Sequence, residues 1–441
     1  MFPSPTRFVA SLLALSFVLT SACGPETSAV LASSESSAAE SGRDPRLDDA
    51  RVAIERGFPD AAWTLLEQVG DDGLESGLLR ARACIVEGDA VGAMRELETV
   101  RPSAGAGRES REAEAHWIAE FHATEVEILA ALDRLVTARE SLRTAYARVG
   151  NVPVLERARG VILLRTPGAA TEALAALEGA YEQSPELPFL GFPLSQARLL
   201  VGREVLANDP ERSLSLVRAA LAYDPLNAEF RELEAEALST SMLFEEALAI
   251  YETLEQDGKS YGDTRALLHQ KLGTRLLLQG QRDKAAEHYV RARALGLDDE
   301  GLGFGADVLA TKAFEWIDTG IAAFDEQRYD LATDAFKEAL VLSPKNLEAR
   351  NHLGVAYFRA EDYSRAARAW ATVLKQAKHD EITLPDPVHL NLARAWRLAE
   401  KHDKARKVLS DYLDGTPEGT WVDATRELLE HLELEELVGG E

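Results

Sequence analysis

The sequence predicts an all-α protein, folded as a solenoid of antiparallel helix pairs. Hydrophobic residues make up 46% and aromatic residues 7% of the 441 residues, a balance typical of Ala- and Leu-rich helical proteins. No segment shows the sustained polar–apolar alternation of half-buried strands. A small residue also recurs at intervals of 32 to 47 residues, as in stacked helical repeats. These recurring residues are Ala61, Ala93, Ala138, Ala173, Ser213, Ala247, Ala285, Ala332, Ala366 and Ala405.

Charge and cysteine content narrow the possible functions. The chain carries 74 Asp and Glu against 48 Lys and Arg, a net charge of −26, so we expect no nucleic acid partner. Only two cysteines, Cys23 and Cys84, are present, which excludes a zinc site of several thiolates. The nine histidines are scattered without the i, i+4 spacing of a helical metal site. We therefore expect no metal and no cofactor.

Residues 1–22 are predicted to be a signal peptide. Arg7 supplies a positive charge, and residues 8–22 follow without any charged side chain. This stretch is shorter than the roughly 20 apolar residues that span a bilayer as a permanent helix. We therefore expect export and removal of the segment.

The end of this segment resembles the lipobox of bacterial lipoproteins, in the run Leu19-Thr20-Ser21-Ala22-Cys23. The resemblance implies that Cys23 is joined to a diacylglyceryl group and becomes the new N-terminus. It departs from the strongest lipobox because Thr20, not Leu, stands three places before Cys23. The alternative is cleavage after Ala22 by the ordinary signal peptidase, which would release an unanchored periplasmic protein.

Residues 23–44 are predicted to be a lipidated cysteine followed by a flexible linker. The stretch is rich in Ser, Ala and Glu and poor in aromatics, so it lacks the apolar surface needed to order itself. About twenty such residues span roughly 25 Å, enough to hold a folded body away from a headgroup layer. By analogy with enteric bacteria, Gly24 after the cysteine favours the outer membrane, facing the periplasm.

Three windows, which begin at Ala313, Leu347 and Asp386, share a detailed pattern that resembles the tetratricopeptide repeat. The resemblance implies two antiparallel helices per repeat, with small residues at positions 8, 20 and 27, large ones at 4, 7, 11 and 24, and proline at 32 to end the second helix. It also implies a right-handed superhelix. The matching residues are Trp316, Gly320, Ala332, Phe336, Ala339 and Pro344, then Leu353, Gly354, Tyr357, Ala366 and Trp370, then Leu392, Ala393, Trp396, Ala405, Leu409 and Pro417.

The pattern divides the rest of the chain into regions. Residues 311–419 form the clear array, and residues 45–310 carry weaker, degenerate repeats such as Ala93 with Leu97 and Ala61 with Leu65. Residues 420–441 are predicted to be a capping helix and tail with a polar outer face. Eight to ten helix pairs are expected in total.

The resemblance also implies where a partner binds, because positions 2, 5, 9, 12 and 13 of each first helix line the concave face of such repeats. In this sequence those positions form an apolar strip edged by arginines, which suits an amphipathic helix or an extended segment with a few acidic residues. The alternative for Phe324 and Phe358 is burial between neighbouring repeats. The candidate residues are Phe314, Ile317, Ile321, Phe324, Asn351, Val355, Phe358, Arg359, Leu390, Arg394 and Arg397.

The functional prediction is a non-enzymatic, membrane-anchored scaffold or adaptor of the bacterial cell envelope that binds protein segments. No catalytic constellation is recognisable, and the string of Gly301, Gly303 and Ala306 follows a helical repeat rather than the buried strand of a dinucleotide site. Cys84 lies among apolar residues and is expected to be a buried, inert thiol. The alternatives are a regulator of a cell-wall or polysaccharide-export enzyme, an unanchored periplasmic repeat protein, and an enzyme whose active site lies unrecognised in residues 45–310.

Overall fold

The structure, a computed structural model, describes residues 44–70, 73–100, 111–256, 258–384, 387–416 and 418–439. Every regular element within these ranges is a helix, which confirms the all-α prediction. The predicted signal peptide, Cys23 and the linker up to residue 43 lie outside the described residues, as do Asp386 and Pro417 of the repeat pattern. The described residues divide into two compact units, of which the first ends at Ile250 and the second begins at Tyr251.

The N-terminal unit is a series of helix pairs that pack in chain order. From α1 to α11, each helix contacts the next one along the chain, and each first helix also contacts the first helix of the next pair, as a solenoid requires. The helices are α1 (Pro45–Glu55), α2 (Pro59–Val69), α3 (Leu74–Glu87), α4 (Ala90–Thr99), α5 (Arg111–Ala131), α6 (Leu135–Val149), α7 (Pro153–Leu164), α8 (Ala170–Gln183), α9 (Gly191–Val205), α10 (Pro210–Leu221), α11 (Ala228–Thr240) and the start of α12 (Phe244–Gln256).

The C-terminal unit continues with the same kind of packing. Its core includes Trp370, Trp396, Leu409 and Leu432, which belong to one buried cluster that extends to the last helix. The helices are α13 (Gly262–Leu278), α14 (Arg282–Ala294), the single turn α15 (Asp299–Leu302), α16 (Phe304–Asp325), α17 (Tyr329–Leu342), α18 (Leu347–Arg359), α19 (Tyr363–His379), α20 (Val388–Leu398), α21 (His402–Gly415) and α22 (Val422–Gly439).

The recurring small residues lie where the two helices of a pair touch. Nine of the ten predicted residues are fully buried; the exception is Ala61, which is exposed. In α2 the buried residues are instead Ala62 and Leu66, so the predicted pair of Ala61 and Leu65 was wrong by one residue. The two pairs have the same spacing, and burial alone distinguishes them.

Glycines of the first helices allow close approach of an aromatic ring from the second helix. A Cβ atom added to Gly320 would lie 2.5 Å from Phe336 Cε1, and one added to Gly354 would lie 2.7 Å from Trp370 Cε2. Real Cβ atoms do not approach other heavy atoms so closely. The alternation of small and large residues in the pattern is therefore a packing requirement.

Tight turns join the two helices of each repeat in the clear array. Gln327, Glu361 and Glu400, each at position 15 of its window, have positive φ angles of 61°, 61° and 57°. Their backbone closes the first helix and reverses the chain within three residues. The turn is short because the paired helices are in direct contact.

Helix α16 differs from the repeat pattern at its N-terminal end. The window at Ala313 places the start of a helix there, whereas α16 begins at Phe304, after α15. At the other end of the unit, α22 packs Val422, Thr425 and Leu432 inward.

No helix in the described part of the chain has both the length and the apolar character needed to cross a bilayer.

Candidate protein-binding site

The predicted groove residues lie on α16, α18 and α20, the first helices of the three clear repeats. Three of them are exposed: Phe314, with 51% of its surface accessible, and the two arginines Arg359 and Arg394. An exposed phenylalanine on a helix that also buries Ala313 and Ile317 is not required by the core. These three residues are the ones most available to a partner.

Four further groove residues are half-buried: Ile321, Phe324, Val355 and Phe358. Phe358 packs against the rings of Tyr363 and Trp370, with centroids 5.4 and 5.9 Å away. Phe324 similarly lies 5.4 Å from Tyr329. The second helix of each repeat thus holds Phe324 and Phe358 in place. This agrees in part with the alternative that the two side chains are buried between helices. Part of the surface of each phenylalanine nevertheless stays accessible.

Two predicted groove residues do not face the surface. Ile317 and Leu390 are each only 2% exposed. Ile317 lies on the same stripe of α16 as Ala313 and Gly320, which packs against α17. Leu390 belongs to the buried C-terminal cluster. Both are core residues, so their assignment as partner contacts needs correction.

Asn351 and Arg397 occupy intermediate positions. Asn351 Oδ1 accepts a hydrogen bond from Trp370 Nε1 at 2.9 Å, which satisfies the buried indole and leaves Asn351 half-buried. Arg397 is also half-buried. The remaining surface combines apolar side chains with guanidinium groups, a combination that can bind a segment with apolar anchors and carboxylates.

Burial shifts the pKa values of two groups outside the predicted groove, Cys84 and His269. Cys84 is buried, and burial raises the pKa of its thiol to about 11, which disfavours the reactive thiolate. No group of three or more potential metal ligands lies together among the described residues. The Nδ1 atoms of His269 and His288 lie 2.9 Å apart. Burial lowers the pKa of His269 to about 4, and electrostatic repulsion from His288 lowers it in the same direction.

A buried charge cluster in the N-terminal unit was not predicted from the sequence. It joins Arg82 of α3, Glu120 and Glu127 of α5 and Arg157 of α7. Glu127 accepts hydrogen bonds from Arg82 Nη1 at 2.8 Å and from Arg157 Nε at 3.0 Å. Glu120 accepts one from Arg157 Nη2 at 3.3 Å. Arg157 is fully buried, so the cluster lies inside the fold.

Pairing within the cluster favours the ionised forms of Glu120 and Arg157. Burial opposes the charge of Glu120, but the guanidinium groups of Arg157 and Arg82 outweigh it and hold the pKa of Glu120 below its usual value. Burial likewise opposes the charge of Arg157, and Glu127 and Glu120 outweigh it. The three first helices α3, α5 and α7 are therefore tied together by complementary charges.

Comparisons with known proteins agree with the repeat pattern. A family model described as tetratricopeptide repeat matches residues 204–261, 317–382 and 358–420. The first match lies within the region that was predicted to be degenerate, and the other two lie within the clear array and its junction with the last helix. The search of curated proteins found no match.

Several solved structures match the chain at low sequence identity. The TPR2AB domain of yeast Sti1 in its pHSP90 complex is 13% identical, covering 54% of this chain and 98% of that one, with a TM-score of 0.28. The Naa15/Naa10 structure with HypK-THB is 15% identical, covering 83% and 52%, with a TM-score of 0.34. PilF of Pseudomonas aeruginosa is 16% identical, covering 55% and 97%, with a TM-score of 0.21.

Identities and scores at this level carry no argument about what this chain binds. The family match, by contrast, coincides with the buried small residues Ser213, Ala247, Ala332, Ala366 and Ala405. The sequence match and the packing thus identify the same repeating unit. The chain contains tetratricopeptide repeats, matched over residues 204–261 and 317–420.

Proposed function

We propose that the protein is a non-enzymatic, membrane-anchored scaffold of the bacterial cell envelope, which binds segments of partner proteins on the first-helix face of its C-terminal unit. The observation that supports this proposal most is the exposure of Phe314, Arg359 and Arg394 on that face. None of the three is needed to complete the hydrophobic core. Tetratricopeptide repeats are an architecture whose extended surface serves protein binding.

The surface defines the chemistry of the partner segment. Phe314 and the accessible parts of Ile321, Val355 and Phe358 would contact apolar side chains. The arginines would pair with carboxylates, and in a chain of net charge −26 such a local positive edge is selective for an acidic partner segment. We therefore propose an amphipathic helix or extended segment that carries apolar anchors and a few acids.

The charge of this face can be tested by reversal. We expect the double variant Arg359→Glu/Arg394→Glu to capture the partner about tenfold more weakly, because two attractive contacts become repulsive. Affinity capture from native envelopes followed by quantitative mass spectrometry measures the loss. The matched control is Arg365→Glu/Arg368→Glu, which makes the same charge change on exposed positions of the second helix α19. Equal capture by both variants would contradict the proposed face.

The membrane anchor is proposed from the sequence. Two acyl chains on Cys23 would give stable attachment, since one chain alone binds a bilayer only reversibly. We propose the outer membrane, facing the periplasm, as the site of attachment, because Gly24 follows the cysteine.

Labelling with a radioactive or clickable fatty acid tests the anchor directly. The wild-type protein should incorporate the label, and Cys23→Ser should lose it completely and appear as precursor or as a released product. Cys84→Ser is the matched control and should remain labelled. Absence of label from the wild type, with correct cleavage after Ala22, would favour the unanchored periplasmic protein.

A further inference from the structure

A small cavity in the N-terminal unit lies between the helices α6 and α7. Its volume is about 260 Å³, below the roughly 300–1,000 Å³ of pockets that take drug-sized ligands, so only a small chemical group can enter it. The buried side chains of Leu142 and Ile162 supply part of its wall. The exposed side chains of Arg139, Arg143 and Arg159 line it as well. The cavity therefore combines an apolar wall with a cationic rim.

The lining of this cavity is strongly biased towards positive charge. None of the described residues that line it is acidic, although the chain contains 74 Asp and Glu. The surrounding sequence shares the bias, because residues 134–165 carry seven arginines and only two glutamates. In a chain of net charge −26, such a concentration of arginine creates a local positive field that attracts an anion.

Two of the three arginines have no acidic partner within the described ranges. Arg139 Nη2 donates a hydrogen bond to Thr166 Oγ1 at 3.0 Å, and this acceptor is uncharged. Thr166 Oγ1 in turn donates to the carbonyl oxygen of Ile162 at 2.9 Å, so the hydroxyl that holds Arg139 is itself fixed. Arg143 forms no hydrogen bond or ion pair with the rest of the described chain. Both guanidinium groups can therefore form charge-assisted hydrogen bonds with a bound anion.

The third arginine, Arg159, is held by a carboxylate beside the cavity. Its Nη1 atom donates to Glu156 Oε2 at 3.3 Å, and Tyr146 Oη donates to Glu156 Oε1 at 2.8 Å. Burial raises the pKa of Tyr146, and Glu156 raises it further, so the phenol keeps the proton that it donates. Glu156 is thus occupied by two donors. The side chain of Arg159 remains 51% exposed, and its guanidinium has further N–H groups for a ligand.

The number of donors favours a phosphoryl group over a carboxylate. A terminal phosphoryl group carries a charge of about −1.5 to −2 at pH 7 and three acceptor oxygens, which matches three guanidinium groups. A carboxylate offers one charge and two oxygens. The small volume and the apolar wall suit the phosphoryl group together with the carbon atoms next to it. An extended polyanion, by contrast, would also meet the acidic remainder of the protein.

We propose that the cavity between α6 and α7 binds a terminal phosphoryl group, carried either by a small soluble phosphate ester or by a lipid headgroup. Arg139, Arg143 and Arg159 bind the phosphoryl oxygens, and the apolar wall contacts the adjoining carbon atoms. The proposal goes beyond the scaffold function, because it concerns a different unit and a ligand that is not a protein.

Titration of the full-length protein with inorganic phosphate and with glycerol 3-phosphate, followed by ³¹P NMR at constant ionic strength, tests the site. We expect saturable binding to the wild type and at least about tenfold weaker binding to Arg139→Gln/Arg143→Gln, which loses two of the three cations. The matched control is Arg95→Gln/Arg212→Gln, which makes the same charge change at exposed positions of α4 and α10 and should bind like the wild type. Acetate should compete much more weakly than phosphate.

Vesicle flotation distinguishes the two sources of the phosphoryl group. Both double variants are compared in full-length Cys23→Ser protein, so that no acyl chain on Cys23 contributes to the binding. If the ligand is a lipid headgroup, vesicles of phosphatidic acid in phosphatidylcholine should carry severalfold more of the Arg95→Gln/Arg212→Gln protein than of the Arg139→Gln/Arg143→Gln protein. Equal flotation, together with binding in the titration, assigns the site to a soluble ester.

Arginine modification by phenylglyoxal locates the site without any substitution. Phosphate should slow the modification of Arg143 in the wild type and leave that of Arg212 unchanged, as measured by peptide mapping. Three results would overturn the proposal. They are absence of phosphate binding together with equal flotation of the two variants, equal phosphate binding by both double variants, and competition by acetate as strong as that by phosphate.

Discussion

Replacing Glu127 by Ala should destabilise the N-terminal unit by about 3–5 kcal/mol, the largest effect that we expect from a single substitution. Glu127 is the acceptor shared by the buried side chains of Arg82 and Arg157. Its removal leaves two guanidinium groups inside the fold with only Glu120 to compensate them. The desolvation of both cations has already occurred on folding, so the lost attraction is not replaced by water.

Chemical denaturation followed by circular dichroism measures this loss. The matched control is Glu114→Ala, which removes an exposed carboxylate from the same helix and should change the free energy of unfolding by less than about 0.5 kcal/mol. If both variants unfold at the same denaturant concentration, the charge cluster does not stabilise the unit.

Ala332→Leu should cost about 1–3 kcal/mol in the C-terminal unit. Ala332 is fully buried on α17, where the helix packs against α16. Leucine adds three carbon atoms to an interface in which Gly320 and Phe336 already leave no free space. Leucine is a good helix former, so any loss of stability comes from packing and not from helix propensity.

Thermal unfolding is the appropriate measurement for this substitution. A loss of this size should lower the melting temperature of a unit of nearly 200 residues by about 3–10 °C. Ala322→Leu, at an exposed position of α16, is the control and should leave it almost unchanged. An unchanged melting temperature for Ala332→Leu would mean that the repeat register is wrong at α17.

The regular part of the fold was predictable because its packing depends on spacing along one chain segment. A small residue followed by a large one four residues later marks the inward face of each second helix, and Ala332 with Phe336 or Ala405 with Leu409 are buried as predicted. The prediction was wrong at α2, where the Ala61–Leu65 and Ala62–Leu66 pairs satisfy the same rule. Only the packing of neighbouring helices decides between them.

The candidate site was less predictable, because it depends on which side of a helix is covered. Pattern positions place Phe314 and Ile317 on one functional face, but they are three residues apart and diverge by enough for one to be exposed and the other buried. The charge cluster was missed for a related reason. Arg82 and Glu127 are 45 residues apart, and Glu120 and Arg157 are 37 apart, so no local pattern connects them.

Site-specific photocrosslinking in living cells tests the proposed binding face most directly. A photoreactive amino acid would replace Phe314 on the first helix α16 or Leu331 on the second helix α17, which are 51% and 47% exposed and therefore similarly accessible. The account predicts a discrete protein adduct at position 314, mapped to an apolar and acidic segment of the partner, and no such adduct at position 331. Absence of an adduct at 314, or the same adduct at both positions, would contradict it.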